Sequence, residues 1–539
     1  MDQPGMSTRS WISLGFAVLV AFAVRYAAID ARPLWLDEAY SNWFASLSLH
    51  DLWIEMPSYE THPPLYYTVL HFWKGFFGSS EPALRMLSLL CSVATVPVVF
   101  ALGWMCAPRG RQGGAALVAA VLFALWPIQV HHAVDARPYA MMTLAMALYC
   151  AAAVALAREP SSVDSPRGRR AAWLVFILSG AVALWLHNTS VISIGLVGIA
   201  LAVVLMLLEQ SRAPLWKVAA AGVVMVVFWL PYLPWFIVQS EAVTANFWIK
   251  PLSIRHVVAT FFSVFSADGL PDITLPWFGP GDYLKLAVGI PLVALAVCGA
   301  LRIKREGRWP AAVMLLTAAF APFAAVVVIS LLIRPIMLPR ILMAASVPFC
   351  VLVTLGLVGM GNRTWRALLL GAICGVFFAA VTNAFYLGDR GKEPWDAVAA
   401  RVSAESLPGD AIWLYVNHNE LPFDYYFDHP EQTRALPQSY PAPGLPNEYP
   451  LGILGVPVLS AKDLARLDRE LSSLRRVWLI TRAGRTEPHQ KILQQLITRH
   501  MRVRKIWRYG IITVQLFAMD TGPDLRTRAD DPALALSAH

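Results

Sequence analysis

Residues 11–40 read WISLGFAVLVAFAVRYAAIDARPLWLDEAY, an apolar run followed directly by a short polar segment. The run 11–29 is long enough to cross a bilayer as a helix, and it carries one charge, Arg25. Asp37 and Glu38 stand side by side just beyond it. Two carboxylates are costly so close to lipid, and ionisable residues in such places usually serve a function. The stretch therefore predicts a membrane protein with chemistry at one membrane face.

The rest of the chain repeats this apolar pattern. Of its 539 residues, 57% are hydrophobic, and the mean hydropathy is +0.53. Ordinary globular proteins are less apolar, and a helix satisfies its own backbone polar groups in lipid. We therefore predict a polytopic α-helical membrane protein with about eleven transmembrane helices. The predicted spans are 11–29, 81–106, 115–133, 138–157, 172–187, 190–208, 217–238, 284–301, 310–333, 341–360 and 367–387.

The charges of the loops predict how these spans are oriented. With the N-terminus in the cytoplasm, the segments on that side carry 15 Lys and Arg, whereas the longer opposite loops carry seven. This asymmetry follows the positive-inside rule. The first run lacks a strongly basic start and a small-residue cleavage site, so we expect it to remain as a span. An odd number of spans places the C-terminal region outside.

The segments between the spans include two long outside loops. Residues 1–387 form the predicted transmembrane domain, and its long loops are 30–80 and 239–283. Loops of this length in a compact protein are usually functional. The apolar, aromatic stretch 64–77 is too short to span a bilayer and predicts a helix lying on the membrane, and 253–265 is a second candidate of this kind.

The long apolar runs end before residue 388, and the pattern of residues 388–520 predicts a small α/β domain outside the membrane. Short apolar runs bounded by turn residues predict buried strands, and amphipathic patterns predict helices. The predicted strands are 410–416, 476–481 and 511–517, and the predicted helices are 461–473 and 487–500. A Pro-rich loop covers 437–457, and we expect 521–539 to be a disordered tail.

The net charge of +9 does not indicate a nucleic-acid partner. Residues 388–539 carry 19 Lys and Arg against 18 Asp and Glu, so the excess lies in short loops between spans, where it reports topology. The six cysteines lie within or at the ends of apolar runs, without metal-ligand or disulfide-type spacing. We interpret them as small core residues. The expected partners are membrane lipids and membrane-borne substrates.

Polar residues collect at the outer ends of the predicted spans. Carboxylates, histidines and arginines share this face, although Arg is ordinarily scarce there. Cations beside a carboxylate base suit the departure of an anionic phosphate group. The residues are Asp37, Glu38, Glu60, His62, Tyr66, Tyr67, Arg85, His131, His132, Asp135, Arg137, Tyr139, His187, Asn188, Lys250, Arg334 and Arg340.

Five stretches, in their order along the chain, resemble the GT-C membrane glycosyltransferases, in particular the bacterial relatives of protein O-mannosyltransferases and lipid A aminoarabinose transferases. The stretches are 36–40 (LDEAY), 62–67 (HPPLYY), 81–88 (EPALRMLS), 135–139 (DARPY) and 334–340 (RPIMLPR). Together they are specific, whereas each alone is weak. The fourth departs from the family's usual Glu-Ala-Arg-Met-Tyr, which bears on the role of Asp135. The resemblance does not extend to the C-terminal domain.

The resemblance implies an inverting glycosyltransferase that moves a sugar from a polyprenyl-phosphate-linked donor to an acceptor hydroxyl in the periplasm. The acceptor would be a glycolipid, a polysaccharide or a protein of the cell envelope. Asp37 would be the general base, with Glu38 beside it in the catalytic pair, and residues 1–387 would be the catalytic domain. A positioned carboxylate supplies base catalysis of about 10²–10⁴-fold, and fixed cations stabilise the departing phosphate.

The remaining roles are phosphate binding and support. Arg137 and Arg340 are the first candidates for the donor phosphate, because the guanidinium fork matches phosphate oxygens, with His62 and Arg85 behind them. Supporting candidates for the sugar, the acceptor or the geometry of the site are Asp135, Tyr66, Tyr139, His131 and Lys250. We expect Asp37, Arg137 and Arg340 to surround one cavity. The C-terminal domain would cover this cavity and help to select the acceptor.

Simpler structural roles compete with several of these assignments. Arg85 could be an arginine that reaches out from a helix end, and the tyrosines could belong to an interfacial aromatic belt. His131 and His132 could bind a divalent metal or line a polar boundary, and the sequence indicates no other cofactor. Aromatic residues at 413–426 could stack on a sugar or pack in the core of the C-terminal domain.

The alternative function is that of a lipid-linked sugar flippase or transporter. Such proteins show internal repeats, and ionisable residues or broken helices at the membrane midplane. This sequence shows no repeat between its halves, and its polar residues cluster at one face. Arg25 is the exception, and it lies near the outer end of the first span. The pattern therefore favours an enzyme.

Overall fold

The computed structural model describes residues 6–158, 166–245, 249, 251–270, 280–387, 393–443, 445, 456–484 and 487–519. These residues form a large helical bundle joined to a small α/β domain at the C-terminal end. The predicted fold class, a polytopic α-helical membrane protein with a C-terminal α/β domain, is confirmed. Lys250, the tail 521–539 and much of the Pro-rich loop 437–457 lie outside the described residues.

The bundle is built almost entirely from helices. Its first half contains α1 (Thr8–Ala28), α2 (Leu36–Phe44), α3 (Leu65–Phe77), α4 (Glu81–Cys106), α5 (Gln112–Leu125), α6 (Pro127–Ala133), α7 (Tyr139–Leu156), α8 (Pro166–Leu186) and α9 (Ser190–Glu209). Its second half contains α10 (Ala213–Trp229), α11 (Leu233–Ala245), α12 (Ile254–Phe265), α13 (Pro280–Arg305), α14 (Trp309–Leu332), α15 (Pro339–Leu342), α16 (Ser346–Gly359) and α17 (Arg363–Thr382). Short π-helical turns occur at Asp51–Glu55 and Asn383–Leu387, and 3₁₀ turns at Met56–Ser58, Leu230–Tyr232 and Met343–Ala345.

In the described chain, ten helical segments are long and apolar enough to cross a membrane, and the bent pair α5–α6 makes an eleventh if it counts as one span. Each of the predicted apolar runs falls on one of these segments. Pro127 lacks the N–H that would continue α5, and the pair bends by 57° at this point. The buried Arg25 donates to the carbonyl of Ala124, 2.8 Å away, just before the break. Arg25 thus stabilises the broken helix from the neighbouring span.

The segment 30–80 contains more helix than the sequence predicts. α3 and α12 confirm helices at the two places where short apolar helices were predicted, while their position on the membrane stays a prediction. α2, with nine residues, was not predicted. Its apolar residues Leu36, Ala39, Tyr40, Trp43 and Phe44 follow the helical period, but the stretch is short and its first turn carries the two adjacent carboxylates. The helix packs against the C-terminal domain.

The C-terminal domain contains a mixed sheet with helices packed against it. The helices are α18 (Trp395–Glu405), α19 (Glu420–Tyr426), α20 (Ala461–Leu471) and α21 (Glu487–His500), and the strands are β1 (Ala411–Tyr415), β2 (Thr433–Ala435), β3 (Arg476–Arg482), β4 (Arg502–Tyr509) and β5 (Ile512–Ala518). The strand order is β2-β1-β3-β5-β4. β1 pairs in parallel with β2 and β3, whereas β5 pairs antiparallel with β3 and β4.

Three of these strands and two of these helices confirm the predicted elements. β1, β3 and β5 occupy the middle of the sheet and are mostly buried, so they read as continuous apolar runs. β4 was missed because it is an exposed edge strand rich in charge, with Arg502, Arg504 and Lys505. β2 was missed because it has three residues.

The C-terminal domain rests on the segment that carries α2. The Tyr426 hydroxyl accepts from the backbone N–H of Leu34 at 2.6 Å, and the Tyr425 hydroxyl donates to the carbonyl of Ser79 at 2.8 Å. One continuous core of buried apolar side chains extends from the bundle into the domain. The first turn of α2 is therefore enclosed between the two parts of the protein.

Candidate active site

The first turn of α2 presents the two predicted carboxylates. Negative side chains are favoured at this position, because a helix N-terminus carries unpaired N–H groups and partial positive charge. The Asp37 side chain is 23% exposed, whereas the Glu38 side chain is 1% exposed. Successive residues of a helix face different directions, so one carboxylate is accessible and the other belongs to the interior.

Arg340 is the ion-pair partner of Asp37. Its Nη1 donates to Asp37 Oδ2 at 3.2 Å, and its side chain is 22% exposed. Arg340 belongs to the short helix α15, which begins at Pro339 after an irregular segment. The guanidinium also lies over the ring of Tyr139, 5.5 Å from its centroid. The ion pair thus joins two predicted site residues, and both remain accessible to a ligand.

Arg137 lies on the other side of Asp37 and is buried. Its Nη1 donates to the backbone carbonyl of Asp37 and to the hydroxyl of Tyr67, each at 3.2 Å. Its Nη2 is 3.5 Å from the imidazole nitrogens of His62. These contacts connect α2, α3 and the segment before α7. Arg137 therefore supports the site from the protein interior.

A buried acid and two histidines lie beside this arginine. Glu60 contacts His62 Nδ1 and accepts the His62 backbone N–H at 3.0 Å, and the rings of His62 and His187 have centroids 5.0 Å apart. Burial, and then the charge of Arg137, lower the pKa of His62, although Glu60 opposes them. Burial, and then the charge of His62, lower the pKa of His187 well below its ordinary value. A neutral His62 donates Nδ1–H to Glu60, which leaves Nε2 as an acceptor.

The surrounding cations keep Asp37 ionised. Burial opposes its charged form, but the positive charges of Arg137 and Arg340 outweigh this effect and hold the pKa of the Asp37 carboxyl below its ordinary value. A general base works best when its pKa lies near the working pH. The basicity of Asp37 therefore rises whenever one of these cations is drawn to another anion.

Glu38 and Arg85 form a buried, bidentate ion pair. Arg85 Nε and Nη2 donate to the two carboxylate oxygens at 2.8 and 2.7 Å. Glu38 also accepts the backbone N–H of Ala136 at 2.9 Å, and Arg85 donates to three backbone carbonyls within 29–33. Breaking such a pair is costly because the remaining charge stays buried. The pair fixes the polypeptide around Asp37.

Asp135 and His131 belong to two neighbouring His–Asp pairs. His132 Nδ1 lies 2.7 Å from Asp135 Oδ2, and His131 Nδ1 lies 3.2 Å from Asp268 Oδ2. The two imidazole rings stack with centroids 4.9 Å apart. In the part of the chain that the structure describes, no group of three or more His, Cys, Asp or Glu is arranged to hold a metal ion.

The two tyrosines predicted to support the site lie in different surroundings. Tyr66 is buried and shares a hydrogen bond with Ser88, 3.1 Å away, in the packed interior. Tyr139 is buried beneath both arginines, with its ring centroid 5.9 Å from the guanidinium carbon of Arg137. Tyr139 therefore contacts the guanidinium groups of Arg137 and Arg340. Tyr66 instead joins α3 to α4.

Two cavities meet at Arg340. One has a volume of about 580 Å³ and lies between the bundle and the C-terminal domain. It is lined by polar residues, namely Arg32, Glu38, Arg85, His131, His132, Asp135, Asp268, Arg340, Glu393 and Arg482, together with apolar residues such as Trp35, Leu338 and Phe385. We call it the polar cavity.

The other cavity, of about 360 Å³, has mainly apolar walls. Its lining includes the apolar residues Val191, Ile192, Phe236, Ile329, Ile333, Ile336 and Ile341, and also the polar residues Thr61, His62, Tyr139, His187, Asn188, Thr189, Gln239, Ser240, Arg334 and Arg340. We call it the apolar cavity. Arg340 lines both of these cavities, whereas Asp37 and Arg137 line neither of the two, so the expectation that the three residues surround one cavity stays a prediction. Arg340 thus connects its ion-pair partner Asp37 with both cavities.

Four charged residues of the polar cavity were not predicted, namely Arg32, Asp268, Glu393 and Arg482. Arg32 lies in the segment that leads from α1 to α2, with its guanidinium 4.7 Å from the ring centroid of Phe385. Glu393 and Arg482 belong to the C-terminal domain, where no motif draws attention to them. Only the docking of this domain onto α2 brings them to the site, so the sequence alone carries no signal for their role.

No protein-family model and no curated protein matches the sequence. Solved structures do match the fold. ArnT from Cupriavidus metallidurans in the apo state superposes with a TM-score of 0.60 at 15% identity, over 95% of this chain and 98% of that chain. The same protein bound to undecaprenyl phosphate gives a TM-score of 0.59 at 15% identity, over 96% and 100%.

A more distant structure shares the fold as well. The archaeal oligosaccharyltransferase AglB from Archaeoglobus fulgidus, in complex with an inhibitory peptide and a dolichol-phosphate, gives a TM-score of 0.51 at 12% identity. That match covers 88% of this chain and 69% of AglB. Both similar proteins are GT-C glycosyltransferases. Identities this low establish the fold alone, and the chain has the GT-C fold that the sequence resemblance implied.

Proposed function

We propose that this protein is an inverting glycosyltransferase, which moves a sugar from a polyprenyl-phosphate-linked donor to a hydroxyl of a cell-envelope acceptor. The observation that carries the proposal is the Asp37–Arg340 ion pair, placed where a polar and an apolar cavity meet. A lipid-linked sugar phosphate has matching parts, an apolar chain, an anionic phosphate and a polar sugar. Solved structures of the same fold hold undecaprenyl phosphate or dolichol-phosphate, which supports this choice of donor.

The two cavities suggest how the donor lies. The prenyl chain would enter the apolar cavity beside Phe236 and Ile333, where burial of apolar surface favours it. The phosphate would reach Arg340, which lines both cavities. The sugar would then occupy the polar cavity, near Arg32 and Asp135. Short polar side chains and guanidinium groups there offer hydrogen-bond partners for hydroxyl groups.

The chemical step is a single displacement at the anomeric carbon. Asp37 takes the proton of the acceptor hydroxyl while that oxygen forms a bond to the anomeric carbon. The bond from this carbon to the phosphate oxygen breaks on the opposite face, and its electron pair leaves with the polyprenyl phosphate. The configuration at the anomeric carbon inverts. Arg340 stabilises the negative charge that grows on the departing phosphate.

Arg340 would connect donor binding to activation of the base. In the structure its guanidinium pairs with Asp37, which holds the carboxylate ionised and weakly basic. A phosphate arriving at Arg340 competes for the same donors. As the guanidinium turns to the phosphate, the pKa of Asp37 rises toward its ordinary value. The base would therefore be strongest when the donor is in place.

The other predicted residues would act through position. We assign Glu38 and Arg85 to holding the backbone around Asp37, since each satisfies the other in the interior. Arg137 and His62 would set the electrostatic field behind Asp37. We place the site and the C-terminal domain on the periplasmic side of a bacterial inner membrane, a proposal supported by the excess of Lys and Arg in the opposite loops.

The direct test uses purified full-length protein in proteoliposomes with a panel of undecaprenyl-phosphate-linked hexoses and pentoses and an extract of envelope glycans. Mass spectrometry would follow undecaprenyl phosphate, free sugar and modified acceptor. The proposal predicts release of undecaprenyl phosphate with one donor, faster in the presence of its acceptor, and an inverted anomeric centre by NMR. Movement of the intact donor across the bilayer without this release would identify a flippase instead.

A further inference from the structure

Glu393 belongs to the C-terminal domain, yet its carboxylate reaches the first residue of α2. Glu393 Oε2 accepts the backbone N–H of Leu36 at 3.0 Å and the indole N–H of Trp395 at 3.2 Å. Glu393 Oε1 accepts from Arg482 Nε and Nη2 at 3.0 and 2.6 Å. The residue is 4% exposed. Both carboxylate oxygens therefore have partners, and one of those partners is the helix that carries Asp37.

A carboxylate at this place stabilises a helix end for a physical reason. The first N–H groups of a helix have no partner within the helix, and the helix dipole favours a negative charge beside them. Leu36 is the first residue of α2, and Asp37 follows it directly. A shift of the Leu36 amide therefore shifts the backbone from which the Asp37 carboxylate projects. The acceptor comes from a residue 357 positions later in the chain.

Arg482 completes the connection to the site. Its guanidinium pairs with Glu393 and lines the polar cavity together with Arg340. A buried carboxylate needs such a charged partner, because an unpaired charge in the interior is strongly destabilising. Glu393 thus restrains two elements at once, the first turn of α2 and a cation of the cavity wall.

Docking of the domain does not depend on Glu393 alone. Tyr426 binds the backbone of Leu34, Tyr425 binds that of Ser79, and the ring of Tyr40 meets that of Tyr440 with centroids 4.9 Å apart. Removing the Glu393 carboxylate should therefore leave the domain in place while freeing the amide of Leu36.

We infer that Glu393 is a positioning residue, through which the C-terminal domain holds the first turn of α2 and the Asp37 carboxylate in register with Arg340. The inference rests on the proposed function for its catalytic meaning. The structural part of the inference, that Glu393 holds residue 37 in place, can be measured without substrate.

The substrate-free experiment introduces Asp37→Cys into the full-length protein and measures alkylation by iodoacetamide, read on the peptide that contains position 37 by mass spectrometry. Glu393→Ala should raise the rate at least about threefold, because the helix end loosens and the released Arg482 favours the thiolate. Glu393→Gln keeps an acceptor for the Leu36 amide but loses the ion pair with Arg482. Its alkylation rate should therefore lie between those of the parent protein and the Glu393→Ala variant.

The matched control is Glu470→Gln. It breaks an ion pair with Arg434 inside the same domain, and among the described residues Glu470 has no side-chain hydrogen bond or ion pair to α2. The rate at position 37 should stay unchanged in this variant. Equal rates in the parent and the Glu393→Ala variant, with both eluting as folded protein, would overturn the inference. If Glu393→Ala does not fold, the Glu393→Gln variant decides the question in the same way.

Turnover supplies the second readout, with Asp37 intact and an undecaprenyl-phosphate-linked sugar as donor. Glu393→Ala should lower kcat about ten- to hundredfold with little change in KM, since a misplaced base slows the chemical step more than donor binding. If Glu393→Ala speeds alkylation at position 37 but leaves kcat unchanged, Glu393 only caps α2 and does not position the base. This result would also overturn the inference. A wild-type protein that releases no sugar from any donor would contradict the proposed function, and the alkylation rates would still decide whether Glu393 holds residue 37.

Discussion

Arg340 Nη1 lies 3.2 Å from Asp37 Oδ2, although 303 residues separate the two along the chain. The pair brings the predicted base and the predicted phosphate-binding cation into direct contact at the junction of two cavities. A phosphate at this junction therefore competes with Asp37 for one guanidinium. This competition explains how a carboxylate with a lowered pKa could serve as a base.

Arg340→Ala should weaken the binding of undecaprenyl phosphate about ten- to hundredfold, because a guanidinium contributes charge-assisted hydrogen bonds to phosphate. Arg340→Lys should recover part of the affinity, since lysine provides the charge without the fork. Native mass spectrometry or thermophoresis with purified protein would measure the dissociation constants. The exposed Arg363, at the start of α17, provides the control variant Arg363→Ala. Equal affinities in all four proteins would place the phosphate elsewhere.

Arg137→Ala should act mainly on stability. The sequence suggested that Arg137 binds phosphate, but its guanidinium is buried and its Nη1 already donates to the Asp37 carbonyl and to Tyr67, although its Nε has no hydrogen-bond partner within the described chain. Its removal leaves these groups unsatisfied and should lower the free energy of unfolding by about 2–4 kcal/mol. Unfolding by SDS titration would measure this loss. A large loss of undecaprenyl phosphate affinity at unchanged stability would restore the original assignment.

The pH dependence of turnover should carry the signature of the ion pair. Asp37 must be deprotonated to accept a proton, so the rate falls as the pH drops through its pKa. Because the neighbouring cations lower this pKa, kcat/KM should stay constant down to about pH 4. Arg340→Gln removes one positive charge and should shift the acid limb of kcat/KM to higher pH. An unshifted limb would mean that another group titrates.

The Glu38–Arg85 pair should behave as a structural unit. Arg85→Met alone leaves Glu38 as a buried, unpaired charge and should cost about 3–5 kcal/mol of unfolding free energy. Glu38→Leu should cost less, because Arg85 keeps its ion pair with Glu81 at 3.3 Å. The double variant should be less destabilised than either single one, although the Ala136 amide still loses its acceptor. SDS titration of the three variants gives the coupling energy. Additive losses would show that the two residues act independently.

The sequence predicts the spans well because membrane helices must be long and apolar, and the strands β1, β3 and β5 because buried strands are apolar throughout. It predicts Asp37 and Arg340 through motifs that a known family shares. Short or charged elements were missed: α2 has only nine residues, although its apolar positions follow a helical period, and β4 is an exposed, charged edge strand.

Contacts between distant parts of the chain are the features that the sequence does not reveal. Glu393 and Arg482 reach the site only because the C-terminal domain docks onto α2. The separation of polar and apolar cavities at Arg340 likewise depends on where helices and domain meet. Arg85 resembles a helix-end arginine in sequence, and only the structure shows that it forms a bidentate pair with Glu38.

The most direct measurement is the turnover of purified Asp37→Asn protein with the undecaprenyl-phosphate-linked sugar that the wild-type enzyme uses. Asparagine keeps the shape of the side chain but accepts no proton at catalytic pH, so the rate should fall at least about 100-fold. Undecaprenyl phosphate should still bind, because Arg340 remains and loses its competing carboxylate. A variant that binds undecaprenyl phosphate and transfers sugar at a rate within a few-fold of wild type would contradict the role of Asp37 as the base.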